Sequence, residues 1–92
     1  MRSNTVGLIL EGLDKKDLRD LKSVSKKFFS GNANSYKSGN WRISVGGYDL
    51  QYEVYYKEMP VFGCIDNEIE VYQSDYRDYA EELARISGDR VK

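Results

Sequence analysis

With 92 residues, 40% of them hydrophobic and 32% charged, the chain suits one globular domain and excludes both a disordered segment and a two-domain protein. It has no histidine and one cysteine, Cys64, which excludes an internal disulfide, the usual zinc sites and every His-dependent triad. Net charge is −1, yet Asp14 to Arg42 holds eight Lys/Arg against three Asp, and Asp49 to Glu82 holds ten Asp/Glu against Lys57 and Arg77, an asymmetry suited to steering a charged partner.

Val6 to Leu10 reads as a first, buried strand, closed by Gly12. It is too short for a membrane span or a signal peptide. With a lone cysteine, this sets the expectation of a reducing, cytoplasmic setting. Asp14 is placed to cap a helix over Lys15 to Phe29, with Leu13 stapling onto Leu18. Leu18, Leu21, Val24, Ser25 and Phe28 supply its apolar stripe, and the lysines and Arg19 lie mostly off it. Gly31 ends the helix. Residues 30–40, SGNANSYKSGN, read as a polar loop.

Trp41, Ile43 and Val45 alternate with Arg42 and Ser44 as a strand, and Gly46-Gly47 marks a hairpin turn. Tyr48, Leu50, Tyr52, Val54 and Tyr56 then share one face, and Asp49, Gln51, Glu53, Tyr55 and Lys57 the other. Glu58-Met59-Pro60 reads as a turn, Val61 to Ile65 as a returning strand, Asp66-Asn67 as a turn, and Glu68 to Tyr72 as a last strand. Ser74 or Asp75 is expected to cap a second helix with Tyr76, Tyr79, Ala80, Leu83 and Ile86 inward. Glu81 and Arg85 make an i,i+4 pair, Gly88 closes the helix, and Asp89 to Lys92 is expected to fray. The expected fold is α+β, in the order β-α-β-β-β-β-α, with an antiparallel sheet packed against two helices.

Candidate chemistry is thin. Cys64 sits in an apolar strand with nothing beside it in sequence to lower its pKa, so it reads as a small buried hydrophobe. Gly7 and Gly12 lack the Lys-Ser/Thr of a phosphate loop. Asp66, Glu68 and Glu70 do not follow calcium-loop spacing and read as a solvated strand face. No cofactor or metal is expected. Tyrosine is the unusual feature, eight in 92 residues, and Tyr is enriched where proteins meet. Tyr55 points away from the Tyr48/Tyr52/Tyr56 face and is the best single contact candidate. The Lys-rich first helix, with Tyr36, Trp41 and Arg42, also fits an RNA binder, ranked lower because the aromatic sheet is surrounded by acid.

The block Asn40-Trp41-Arg42-Ile43-Ser44-Val45-Gly46-Gly47-Tyr48-Asp49-Leu50-Gln51-Tyr52-Glu53-Val54, the later Ile69-Glu70-Val71-Tyr72 and the helical Leu18-Arg19-Asp20-Leu21-Lys22 together resemble RelE/ParE/HigB-type toxins. That resemblance implies cleavage of ribosome-bound mRNA by basic residues and a late tyrosine, here Arg42 and Tyr72. The chain departs from the pattern at Asp49 and Asp66, where basic residues are expected, and in its polar loop, which replaces a second helix. Acids at phosphate-holding positions repel RNA, so the kinship implies a relative without the nuclease chemistry.

The expectation that follows is a small non-catalytic protein-binding module, an inhibitor or modulator of a partner. A phage or mobile-element inhibitor of a nucleic-acid-handling host enzyme is the special case. Tyr55, Asp66, Glu68, Glu70, Tyr72, Asp75 and Asp78 are the expected contact residues. The partner would be a protein with a basic surface rather than nucleic acid or membrane, and an edge strand offers a route to a homodimer. A toxin-like ribonuclease and an RNA-binding domain are the alternatives.

Overall fold

The computed structural model describes residues 14–92, and the strand expected at Val6 to Leu10 and the Leu13 staple lie outside them. Helix α1 spans Lys15–Ser30. It begins where expected because the Asp14 carboxylate accepts from the free amides of Lys16 (2.8 Å) and Asp17 (3.2 Å). Its inward stripe buries Leu21, Val24 and Ser25. The Ser25 hydroxyl avoids an unsatisfied burial by donating to the Leu21 carbonyl at 2.6 Å.

Six strands follow in the spatial order of the chain: β1 (Ser35–Ser38), β2 (Trp41–Val45), β3 (Tyr52–Tyr56), β4 (Met59–Ile65), β5 (Glu68–Val71) and β6 (Arg90–Val91). The first five pair antiparallel, and β6 joins β5 in parallel. Between β5 and β6 the chain makes a 3-10 turn, Ser74–Tyr76, and helix α2, Arg77–Ser87. The α+β class and the sheet packed against helices are as expected.

Four elements differ from the sequence expectation. The polar segment 30–40 contains β1, which hydrogen-bonds to β2 across the Gly39-Asn40 turn, with Gly39 at φ 57. Strand β3 begins at Tyr52 rather than Tyr48. Tyr48 turns at φ 48 into solvent, and Leu50 folds back so closely that a Cβ on Gly46 would lie 2.4 Å from its own Cβ. Met59 and Pro60 belong to β4, and the turn is Lys57-Glu58, with φ 50 and 64. That hairpin geometry repeats at Asp66-Asn67, with φ 52 and 63. Pro60 fits because the register shifts between Val54 and Tyr55 opposite it. The tail does not fray: Arg90 and Lys92 donate backbone bonds to Asn67 and Ile69.

At the α2 ends, Gly88 closes the helix at φ 83 as expected, but Tyr76 rather than Ser74 or Asp75 occupies the N-cap, without a side-chain cap bond. Arg85 pairs with Glu82, not Glu81. Both helices pack on one face of the sheet, since Leu21 and Val24 of α1 and Tyr79, Ala80 and Leu83 of α2 share one core with Trp41, Ile43, Val54, Phe62, Cys64 and Ile69. Each such buried aliphatic side chain contributes roughly 1.5–3 kcal/mol. Trp41 is fully buried at the centre, against Tyr56, Phe62, Tyr76 and Tyr79. Among the described residues neither helix packs on the other face, and no helix is long and apolar enough to cross a membrane.

Candidate functional site

The uncovered sheet face is built by residues that alternate with the core. Register places Ser35, Ser44, Glu53, Gly63 and Glu70 in one transverse row, and Lys37, Arg42 and Tyr55 in the next. Tyr72 follows β5 onto the same face. Its hydroxyl lies over Gly63, where an added Cβ would be 2.0 Å away. A glycine inside a strand here makes room for a tyrosine crossing from the neighbouring strand.

These side chains form one connected network. The Tyr55 hydroxyl donates to Glu53 Oε1 at 2.7 Å, and that of Tyr72 reaches Glu53 Oε2 at 3.3 Å. One carboxylate thus holds two tyrosines. The Arg42 guanidinium lies 4.0 Å from the Tyr55 ring centroid, a favourable cation–π arrangement. It also donates through Nη1 to Ser44 (2.6 Å), whose hydroxyl reaches Ser35 (3.0 Å). Glu58, presented by the left-handed Lys57-Glu58 turn, clamps Arg42 from Nε (3.0 Å) and Nη2 (2.8 Å). Lys37 stands 3.8 Å from the same carboxylate.

The electrostatics follow from these contacts. The Glu53 hydrogen bond holds the Tyr55 hydroxyl above its usual pKa, and burial and then the Glu53 charge do the same for Tyr72. Arg42 holds Glu58 below the usual carboxylate range, and Glu58 raises Arg42 in turn. Both phenols therefore keep their protons at neutral pH.

The expected contact residues divide between locations. Tyr55, Glu70 and Tyr72 share the uncovered face. Asp66, Glu68 and Glu70 line a shallow cleft of about 200 Å³ with Ile65 and Lys92 at the end of that face. Asp75 lies in the turn leaving the sheet and Asp78 in the first turn of α2, in the helical layer. Arg42 and Tyr72, implied by the toxin resemblance, are joined through Tyr55 and Glu53.

Sequence reasoning missed Glu53, Ser44, Glu58 and Gly63. Period two already put Glu53 beside Tyr55, and Gly63 inside a strand was a readable sign of close approach. The Glu58 clamp had no local signal. The acidic run is also less exposed as charge than its sequence suggests, because Glu58, Glu68 and Glu82 pair with Arg42, Arg90 and Arg85. Cys64 is buried, its thiol pushed up by that burial. Among the described residues, no group of acids, Cys or His is arranged to hold a metal ion. Comparison with known proteins gives no match to a family model, to a curated protein or to a solved structure.

Proposed function

We propose that this chain is a non-catalytic protein-binding module, acting as an inhibitor or modulator of its partner through the uncovered sheet face. One observation carries the reading: Glu53 hydrogen-bonds both Tyr55 and Tyr72 on a face that neither helix covers among the described residues. Tyrosines fixed before binding lose little rotamer freedom on contact, which is what a central anchor requires. Asp66, Glu68 and Glu70 at one end of the face favour a partner that presents basic residues beside an apolar or aromatic patch.

A ribonuclease reading competes at the same face through Arg42 and Tyr72. It comes second because Glu58 engages Arg42, and burial followed by the Glu53 charge opposes ionisation of the Tyr72 phenol. The deciding experiment is affinity capture from a host lysate with the wild-type chain and with Tyr55→Ala/Tyr72→Ala, run beside an mRNA cleavage assay. The proposal expects a discrete captured protein whose affinity falls at least about 30-fold in the variant, the equivalent of losing one anchor residue at about 2 kcal/mol. Capture unchanged by the double variant, or cleavage lost with Arg42→Ala, would overturn it.

A further inference from the structure

The cations of α1 take no part in the sheet-face network described above, and their arrangement carries an inference of its own. Lys15, Arg19, Lys22 and Lys26 recur at intervals of four, three and four residues, which places them on one side of the helix. They line a groove of about 530 Å³ with Leu18 and Ser23. The same helix buries Leu21, Val24 and Ser25, so this stripe faces outward from the helical layer, away from the Tyr55/Tyr72 face.

The acids of α1 do not neutralise it. Asp14 caps the helix, Asp17 accepts from the Tyr56 hydroxyl at 2.7 Å, and Asp20 pairs with Lys16 at 2.7 Å. Lys37, Arg42, Arg85 and Arg90 are likewise engaged by Glu58, Glu82 and Glu68. Lys15, Arg19, Lys22 and Lys26 make no ion pair among the described residues. A net charge of −1 for the whole chain therefore hides a local concentration of positive charge.

From this we infer that the outward face of α1 is a binding site for the phosphate backbone of a nucleic-acid duplex. Lys15 to Lys26 spans about 16 Å at ~1.5 Å rise per residue. A duplex carries one phosphate charge per about 1.7 Å of its axis, both strands counted, so over this span it offers more than enough phosphates for four cations. Among the described residues, no aromatic side chain lines the groove. Single strands are gripped by stacking their bases on such residues, so a regular backbone is the better match. Leu18 and the lysine stems give sugar edges an apolar floor. Contacts to phosphate alone carry no sequence information, so the site is indifferent to sequence.

The test is fluorescence anisotropy of the full chain with a labelled duplex DNA of about 20 base pairs, titrated between 50 and 200 mM salt. Four phosphate contacts predict a slope of log K against log salt near −3.6, at about −0.9 per contact. Scrambling the duplex sequence leaves the affinity unchanged. Each single Gln substitution flattens the slope by about 0.9, and Lys15→Gln/Arg19→Gln/Lys22→Gln/Lys26→Gln abolishes binding while circular dichroism stays native. Lys15→Arg/Lys22→Arg/Lys26→Arg keeps the slope. Tyr55→Ala/Tyr72→Ala leaves duplex binding intact, which separates this site from the sheet face. Absent binding at 50 mM salt, binding retained in the fourfold Gln variant, or equal competition by poly-glutamate at matched charge would each overturn the inference, the last by assigning the face to acidic protein segments.

Discussion

Gly63→Ala tests the candidate face without touching its chemistry. The residue sits mid-strand with no positive φ, so alanine is compatible with the backbone. Its Cβ would meet the Tyr72 hydroxyl at 2.0 Å, the ring Cζ at 2.9 Å and Leu50 Cδ2 at 3.0 Å. The first two atoms are the far end of a side chain that is 41% exposed, so the ring swings outward and its bond to Glu53 is lost. That bond is long, at 3.3 Å, and contributes at most ~0.5–1 kcal/mol. Replacing glycine in a strand interior returns roughly 0.5–1 kcal/mol. Stability therefore changes by less than about 1 kcal/mol. The displaced tyrosine no longer acts as an anchor, and partner affinity falls by about 30-fold, the equivalent of ~2 kcal/mol. Urea unfolding followed by Trp41 fluorescence reads the first effect. Tyrosine-resolved carbon NMR reads the second directly, because the Tyr72 phenol titrates at lower pH once it leaves Glu53. A loss of several kcal/mol, or a Tyr72 titration unchanged from wild type, would refute the geometry.

Further outcomes follow from the core. Tyr56→Phe removes the hydrogen bond to Asp17, which with burial pushes the phenol up to about 12. Because the folded value exceeds the unfolded value of about 10, this contribution is complete below pH 10 and is lost as pH rises through 12. Stability at neutral pH falls by about 1 kcal/mol after allowance for solvent screening, and the wild-type excess over the variant disappears between about pH 10 and 12 in alkaline unfolding curves. Asp14→Ala strips the α1 cap and lowers stability by ~1 kcal/mol in urea titrations. Leu83→Ala, at a fully buried site, costs about 2–5 kcal/mol by the same measurement. Tyr52→Phe breaks the 2.6 Å bond to Asp89 beside β6 and speeds amide exchange at Lys92, whose N–H bonds to Ile69, more than at strands β2 to β4.

What could be read from the sequence was what is decided locally. Asp14, the 3.6-residue spacing from Leu18 to Phe28 and Gly88 fix both helices without reference to the rest of the chain. Strand β1 was not readable, because Ser35-Tyr36-Lys37-Ser38 has one apolar residue. Its state is set by β2 and by Tyr36 packing edge-on against Phe28, with ring centroids 6.4 Å apart. Strand β3 was overextended because Tyr48 and Leu50 continue the period-two pattern, which carries no information about a positive φ at Tyr48. Tyr55 was assigned to the correct face by alternation alone. Its link to Tyr72 depends on the β3–β4–β5 register and on Gly63, and no local pattern specifies that register.

The division of charge along the chain becomes a division of surfaces once the helical layer is in place. Had the acids of the second half stood together, they would form one anionic wall. Instead Arg42 meets Glu58 and Arg90 meets Glu68 on the sheet side, while Asp78 and Glu81 go to the helical layer. Lys15, Arg19, Lys22 and Lys26 of α1 make no such pair among the described residues, because Asp14, Asp17 and Asp20 are spent on a cap, a tyrosine and Lys16. One side of the molecule thereby carries the hydrogen-bonded tyrosines and the other carries cations without an ion pair among the described residues, separated by the core. Two surfaces on opposite sides do not compete for one ligand. Under the two proposals, a protein on the sheet and a duplex on α1 occupy separate surfaces, so substitutions on each face add without coupling. A double-mutant cycle between Tyr55→Ala and Lys22→Gln, read in both binding assays, would show an interaction energy within about 0.5 kcal/mol of zero. A larger coupling would mean that both faces serve a single partner.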